Sequence, residues 1–133
     1  MVENFLAPGV AGEWMSDMGF SDAVATSSHI YVAGQVGQLA DGTTPPSYEE
    51  QARLAFRNVK ARVLEAGGDP ARIVALTILM DQSLMSDRRM ANEVLKEAKA
   101  AELPECSPAT TGIFVSGLAF RRFLVEVQAI AVR

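Results

Sequence analysis

The chain has 133 residues, is 49% hydrophobic and carries a net charge of −4. It is long enough for one compact domain, 1–133, with an aliphatic core, and it lacks the clustered Lys and Arg that phosphate-backbone binding needs. One cysteine, Cys106, excludes an internal disulfide and fits a reducing compartment.

The start, Met1 to Gly9, lacks the basic residues and long apolar stretch of a secretory signal. The first eighteen residues, with Pro8, Gly9 and Gly12, read as irregular. Phe20 to Thr26 reads as a short strand, Ser27-Ser28 as a turn and His29 to Val36 as a second strand, together a hairpin. Gly37 to Pro46 is a loop. Ser47 then opens a helix with a capping box, Ser47 to Glu50. Ala52, Ala55, Phe56, Val59, Val63 and Ala66 form its apolar stripe. Gly67-Gly68 ends it, and Asp69-Pro70 forbids continuation.

Ile73 to Met80 follows as a strand with a single polar residue, so both its faces are expected to be buried. It is the longest strongly apolar run and is far too short to span a bilayer. The sequence thus reads as a cytoplasmic protein with no membrane or nucleic-acid partner. Ser86 or Asp87 caps a second helix from about Arg88 to Ala101, with Met90, Ala91, Val94, Leu95 and Ala98 on one stripe. Thr110 to Ser116 is a strand, Gly117 to Arg122 a connector, and Phe123 to Val132 the last strand.

The order β-β-α-β-α-β-β gives two helices for one face of a five-stranded sheet. The other face then lacks a cover, and an open apolar face is an aggregation hazard. A second copy of the chain in a closed homo-oligomer would cover it. The alternative is that the N-terminal eighteen residues fold across it.

The last strand carries the clearest functional signal. Side chains alternate across a strand. Phe123, Val125, Val127, Ala129 and Ala131 share one face; Leu124, Glu126, Gln128, Ile130 and Val132 share the other. A carboxylate on such a surface needs a wet cleft, a cation or a chemical role. Glu126 is therefore expected to line a wet cleft, to pair with a cation such as an arginine from a neighbouring copy, or to do chemistry. Other candidates are weaker. His29 and Cys106 are each alone of their kind, which makes no metal site, and no third residue stands out to orient a Cys-His pair. Trp14 caps a cleft or simply packs. Arg88-Arg89 sits at a helix start, where cations are disfavoured, which points towards a partner for them.

Four segments, taken together and in order, resemble the Rid family, the reactive intermediate deaminases also known as liver perchloric-acid-soluble proteins. They are Ile30 to Gly37, Gln51 to Gly68, Pro108-Ala109-Thr110-Thr111 and Leu124 to Val132. The resemblance spans nearly the whole chain. It implies an α+β, chorismate-mutase-like fold with a mixed sheet of five to six strands backed by two helices on one face. It also implies a homotrimer whose sheets pack in a central barrel, with ligand clefts between subunits. The chemistry it implies is hydrolysis of enamines and imines to carbonyl products and ammonia, with no cofactor and no metal.

By the same resemblance, Glu126 orients the attacking water, and Gly34 offers a backbone amide to the substrate. Thr110, Thr111, Phe20 and Ala33 occupy substrate-binding positions. Thr110 stands where active members have an arginine that clamps the substrate carboxylate. Phe20 replaces a tyrosine, Ala33 a serine, and Gly112 falls near a common cysteine. Arg88, Arg89, Arg121 and Arg122 are the possible substitutes for the missing cation; Arg89 and Arg121 are the expected ones. The sequence thus supports a divergent imine or enamine hydrolase. The alternative is a trimer that binds a small metabolite without turning it over. A nuclease or translation inhibitor fits poorly with the acidic chain and its lone His29.

Overall fold

The N-terminal segment is not irregular. The computed structural model describes residues 1–133, and there a strand, β1 (Glu3–Phe5), and a helix, α1 (Val10–Met18), precede the expected hairpin. Local sequence hides α1 because Gly12 lies inside it and Pro8-Gly9 just before it. Tertiary contacts supply what propensity lacks. The Val10 amide donates to the Ala40 carbonyl at 2.8 Å. A Cβ at Gly12 would lie 1.7 Å from the Ala7 carbonyl oxygen, so only glycine lets the helix approach that loop.

The remaining elements follow the expected order: β2 (Ala23–Ala25), β3 (His29–Val36), α2 (Tyr48–Glu65), β4 (Ile73–Asp81), α3 (Arg88–Glu102), β5 (Ala109–Val115) and β6 (Val125–Val132). One half of the Ser47 capping box forms, with the Glu50 amide donating to the Ser47 hydroxyl at 3.2 Å. Asp87, not Ser86, caps α3 by accepting from the Met90 amide at 3.0 Å. No helix is long and apolar enough to cross a membrane.

The fold is α+β, with a mixed six-stranded sheet in the order β1-β2-β3-β6-β4-β5. Only β4 and β5 run parallel; every other pair is antiparallel. The last strand inserts between β3 and β4. Its Val125, Val127, Ala129 and Ala131 are fully buried among Ile30, Val32, Leu76 and Ile78, and with Phe56, Val59 and Val63 of α2 and Leu95 of α3.

The other sheet face stays open. Ile73 to Met80 is buried on one face only: Leu76, Ile78 and Met80 are buried, whereas Thr77 and Leu79 are half-buried. Tyr31 is 46% exposed and Ile113 45%. The third helix, α1, does not cover these residues. It sits at one end of the sheet, with Trp14 set edge-on against Phe120 at 5.9 Å.

Candidate active site

A break in sheet register creates the site. Val32 pairs with Ala129, but Gln35 pairs with Val127, leaving Ala33 and Gly34 without a register partner in β6. Such a bulge bends the strand and re-aims its side chains. Buried polar groups hold it in place. The Ala33 amide donates to the Asp22 carbonyl at 2.9 Å, and Gln35 Nε2 donates to the Ala33 carbonyl at 3.0 Å. Arg62 Nη1 donates to Gln35 Oε1 at 3.3 Å, while the same guanidinium grips Glu65 through two 2.8 Å bonds. Asp22, Gln35 and Arg62 are all buried.

Glu126 lies in register with Val36 on one side and Leu79 on the other. Its carboxyl group rests directly on Gly34. A Cβ at position 34 would stand 2.5 Å from Glu126 Cδ and 2.6 Å from Oε2. The absence of a side chain at position 34 thus leaves the space in which the acid lies across the bulge; a Cβ there would push the carboxyl end aside. Glu126 takes part in none of the chain's four ion pairs. Burial alone acts on it and raises its pKa above the ordinary carboxylate value.

Gly34 and Glu126 line a cavity of about 260 Å³, together with Trp14, Asn58, Phe120 and Arg122. That lies just below the ~300–1,000 Å³ range of ligand pockets, so it suits a small metabolite. Asn58 does not serve as a free donor; its Nδ2 donates to the Val36 and Gln38 carbonyls at 2.9 and 3.0 Å, tying α2 to the end of β3. No cluster of three or more His, Cys, Asp and Glu side chains stands together to hold a metal.

Within one chain, the other expected residues lie apart from this cavity. Thr110 and Thr111 are exposed on β5, at the sheet edge, paired with Leu76 and Thr77 of β4. The Thr110 hydroxyl donates to the Pro108 carbonyl at 2.9 Å. Phe20 follows α1 and is 53% exposed. Ala33 is half-buried in the bulge, one residue from the wall. Arg89 and Arg121 are exposed and lie outside the wall, and Arg88 lies over the Phe114 ring at 5.7 Å. The arginine that does reach the cavity is Arg122. A signal for it was present in the sequence: continuing the alternation of β6 back from Glu126 through Leu124 lands on Arg122, not Arg121. Gln35, Arg62 and Asp22 had no such signal, because a bulge leaves no periodic trace.

The contact between Gly34 and Glu126 has a direct consequence. Gly34→Ala is expected to displace the carboxyl group, and any chemistry that depends on its position should fall about 10²-fold, the effect of an ångström-scale misplacement. The melting temperature should move by only a few degrees, since the displaced group is the end of a flexible side chain. A high-resolution structure of the variant with the Glu126 carboxyl unmoved would show that Gly34 does not set its position.

The fold and site define a small α+β protein with a metabolite-sized cavity and a half-buried carboxyl group that has no ion-pair partner. Residues 13–133 match the family model described as Endoribonuclease L-PSP. TdcF of Escherichia coli strain K12, named as a reactive intermediate deaminase, is 31% identical over 133 residues, covering 100% of this chain and 96% of TdcF. A 2-iminobutanoate/2-iminopropanoate deaminase of Mus musculus is 32% identical over 116 residues, covering 86% of this chain and 81% of the mouse protein. Among solved structures, E. coli TdcF with bound serine superposes with a TM-score of 0.77 at 28% identity, covering 100% and 98% of the two chains. The E. coli YjgF gene product superposes with a TM-score of 0.79 at 27% identity, covering 98% of each. The chain belongs to this L-PSP family, the Rid family of reactive intermediate deaminases.

Proposed function

We propose that this protein hydrolyses an imine or enamine metabolite to a carbonyl product and ammonia, with Glu126 as the residue that orients and deprotonates water. The observation that carries this reading is the unpaired, half-buried Glu126 carboxyl lying across Gly34 inside the cavity. An imine carbon is electrophilic. Water adds to the carbon of the protonated imine while Glu126 takes one water proton, giving a neutral carbinolamine. That proton then passes from Glu126 to the nitrogen, the C–N bond breaks with ammonia leaving, and Glu126 takes the hydroxyl proton as the carbonyl forms, later releasing it to ammonia or solvent. A carboxyl group whose pKa is raised exchanges protons more readily near neutrality than an ordinary one, which suits it to both steps. The names of its relatives, reactive intermediate and 2-imino acid deaminases, agree with this chemistry.

The open sheet face supports assembly as a homotrimer, with the sheets facing one another around a central barrel. In that arrangement the exposed edge of β5, with Thr110 and Thr111, would meet the cavity of a neighbour and complete a cleft between subunits. Sedimentation at micromolar concentration tests this; a stable monomer would contradict it.

The reaction itself is tested by ammonia release from freshly generated imines, comparing the natural chain with Glu126→Gln. No acceleration over the uncatalysed rate would rule out the hydrolase. One observation favours a second reading. Thr110 stands where the family's carboxylate-clamping arginine belongs, which favours a cleft that holds a metabolite without acting on it. A compound that strongly raises the melting temperature yet is recovered unchanged would support this binding role.

A further inference from the structure

We infer that Arg122 is the anion anchor of this site, doing from within the same chain what Thr110 cannot, and that it selects ligands with a carboxylate on a short apolar stem. The inference rests on the hydrolase reading only for the identity of the reaction; anchoring itself is a matter of binding.

Two cations line the cavity, Arg62 and Arg122. Arg62 is buried and already committed, with two bonds to Glu65 and one to Gln35. Arg53, Arg57 and Lys60 are committed elsewhere, to Glu102 and Glu105. Arg122 has no carboxylate partner. Its guanidinium sits 4.7 Å from the centroids of both Phe120 and Phe123, whose rings stand edge to face at 87° and 5.8 Å. Contact with ring faces holds a guanidinium by charge–quadrupole attraction without consuming its N–H donors, which lie around its edge. The head group is therefore held in place and its donors remain available, the arrangement that a bidentate carboxylate contact requires.

Backbone hydrogen bonds hold the segment that bears Arg122. Gln51 is fully buried, and its Nε2 donates to the Arg122 carbonyl at 2.8 Å while its Oε1 accepts from the Leu124 amide at 2.8 Å. Arg122 and Glu126 share the cavity yet form no ion pair. Opposite charges thus stand apart in one pocket. A bound carboxylate is repelled from Glu126 and drawn to Arg122, which leaves its electrophilic end towards the acid. Trp14, Met15, Leu39 and Phe120 supply apolar wall for the stem.

The test uses 2-oxobutanoate and its neutral amide, 2-oxobutanamide, as probes, with affinity read by ligand-observed NMR on the full-length protein. The natural chain should bind the carboxylate about tenfold or more tighter than the amide. Arg122→Gln should abolish that preference, Arg122→Lys should keep part of it, and Arg121→Gln should keep all of it. Arg122 is exposed, so the variants should keep the far-ultraviolet circular dichroism of the natural chain. An undiminished preference in Arg122→Gln, or no preference in the natural chain, would overturn the assignment. The ammonia assay separates the two readings: Arg122-dependent carboxylate binding without turnover keeps the anchor and removes the hydrolase. Turnover of imino acids that is indifferent to Arg122 does the reverse.

Discussion

Glu126→Gln is expected to lower ammonia release about 10²–10⁴-fold, the range for loss of a positioned general acid–base group. Glutamine fills the same space above Gly34, so the variant isolates the proton-transfer role from packing. The same substitution should raise stability at neutral pH, because it removes a charge held in a half-buried site without an ion-pair partner. The direction of the pH dependence follows from the raised pKa. Between the unfolded and folded values, the folded chain binds more protons at Glu126 than the unfolded one. The penalty from this group therefore grows as pH rises through the carboxylate range and is complete above the folded pKa. Thermal melts at neutral pH and at about pH 4, near the ordinary carboxylate value, should show the advantage of Glu126→Gln shrinking in acid. An advantage of equal size at both would mean that charge is not its cause. An unchanged rate of ammonia release would remove Glu126 from the chemistry.

The elements that pack by regular spacing were legible in the sequence. The stripe from Ala52 to Ala66 forms the buried side of α2, and the alternation from Val125 to Ala131 forms the core side of β6. What was hidden depends on contacts between distant residues. Helix α1 needs Gly12 to approach Ala7, a requirement that reads locally as a helix breaker. Strand β6 inserts between β3 and β4, and nothing in the chain order announces that. That sheet order separates Thr110 from Glu126: β4 stands between β5 and β6, so the two residues do not meet within one chain. For the site, alternation singled out Glu126, and the resemblance pointed to Gly34. The geometric link between them is the β3 bulge, and it rests on Asp22, Gln35 and Arg62, which the sequence gives no reason to group. The choice of Arg122 over Arg121 turned on where the last strand's alternation is taken to begin.

Gln51→Leu should be the most destabilising polar substitution near the site. The side chain is 0% exposed and bonds three main-chain groups from two separate segments. Its Nε2 donates to the Pro45 carbonyl at 2.9 Å and to the Arg122 carbonyl at 2.8 Å; its Oε1 accepts from the Leu124 amide at 2.8 Å. Leucine matches the volume but leaves all three groups without a partner. At about 1–3 kcal/mol for each buried unsatisfied group, the expected loss is roughly 3 kcal/mol or more. For a domain of this size that lowers the melting temperature by about 10 °C. Gln51→Glu should fare no better. A carboxylate can still accept from Leu124, but it faces two carbonyl oxygens with no proton to give and brings a buried charge. The damage should also reach function, because the bonds on either side of Phe123 fix the backbone that presents Arg122. At a temperature where Gln51→Leu remains folded, its preference for carboxylate over amide probes should fall towards that of Arg122→Gln. Denaturant unfolding and the probe titration together decide the matter. A variant within about 1 kcal/mol of the natural chain, the net worth of one ordinary hydrogen bond, would show that these three bonds do not hold the connector.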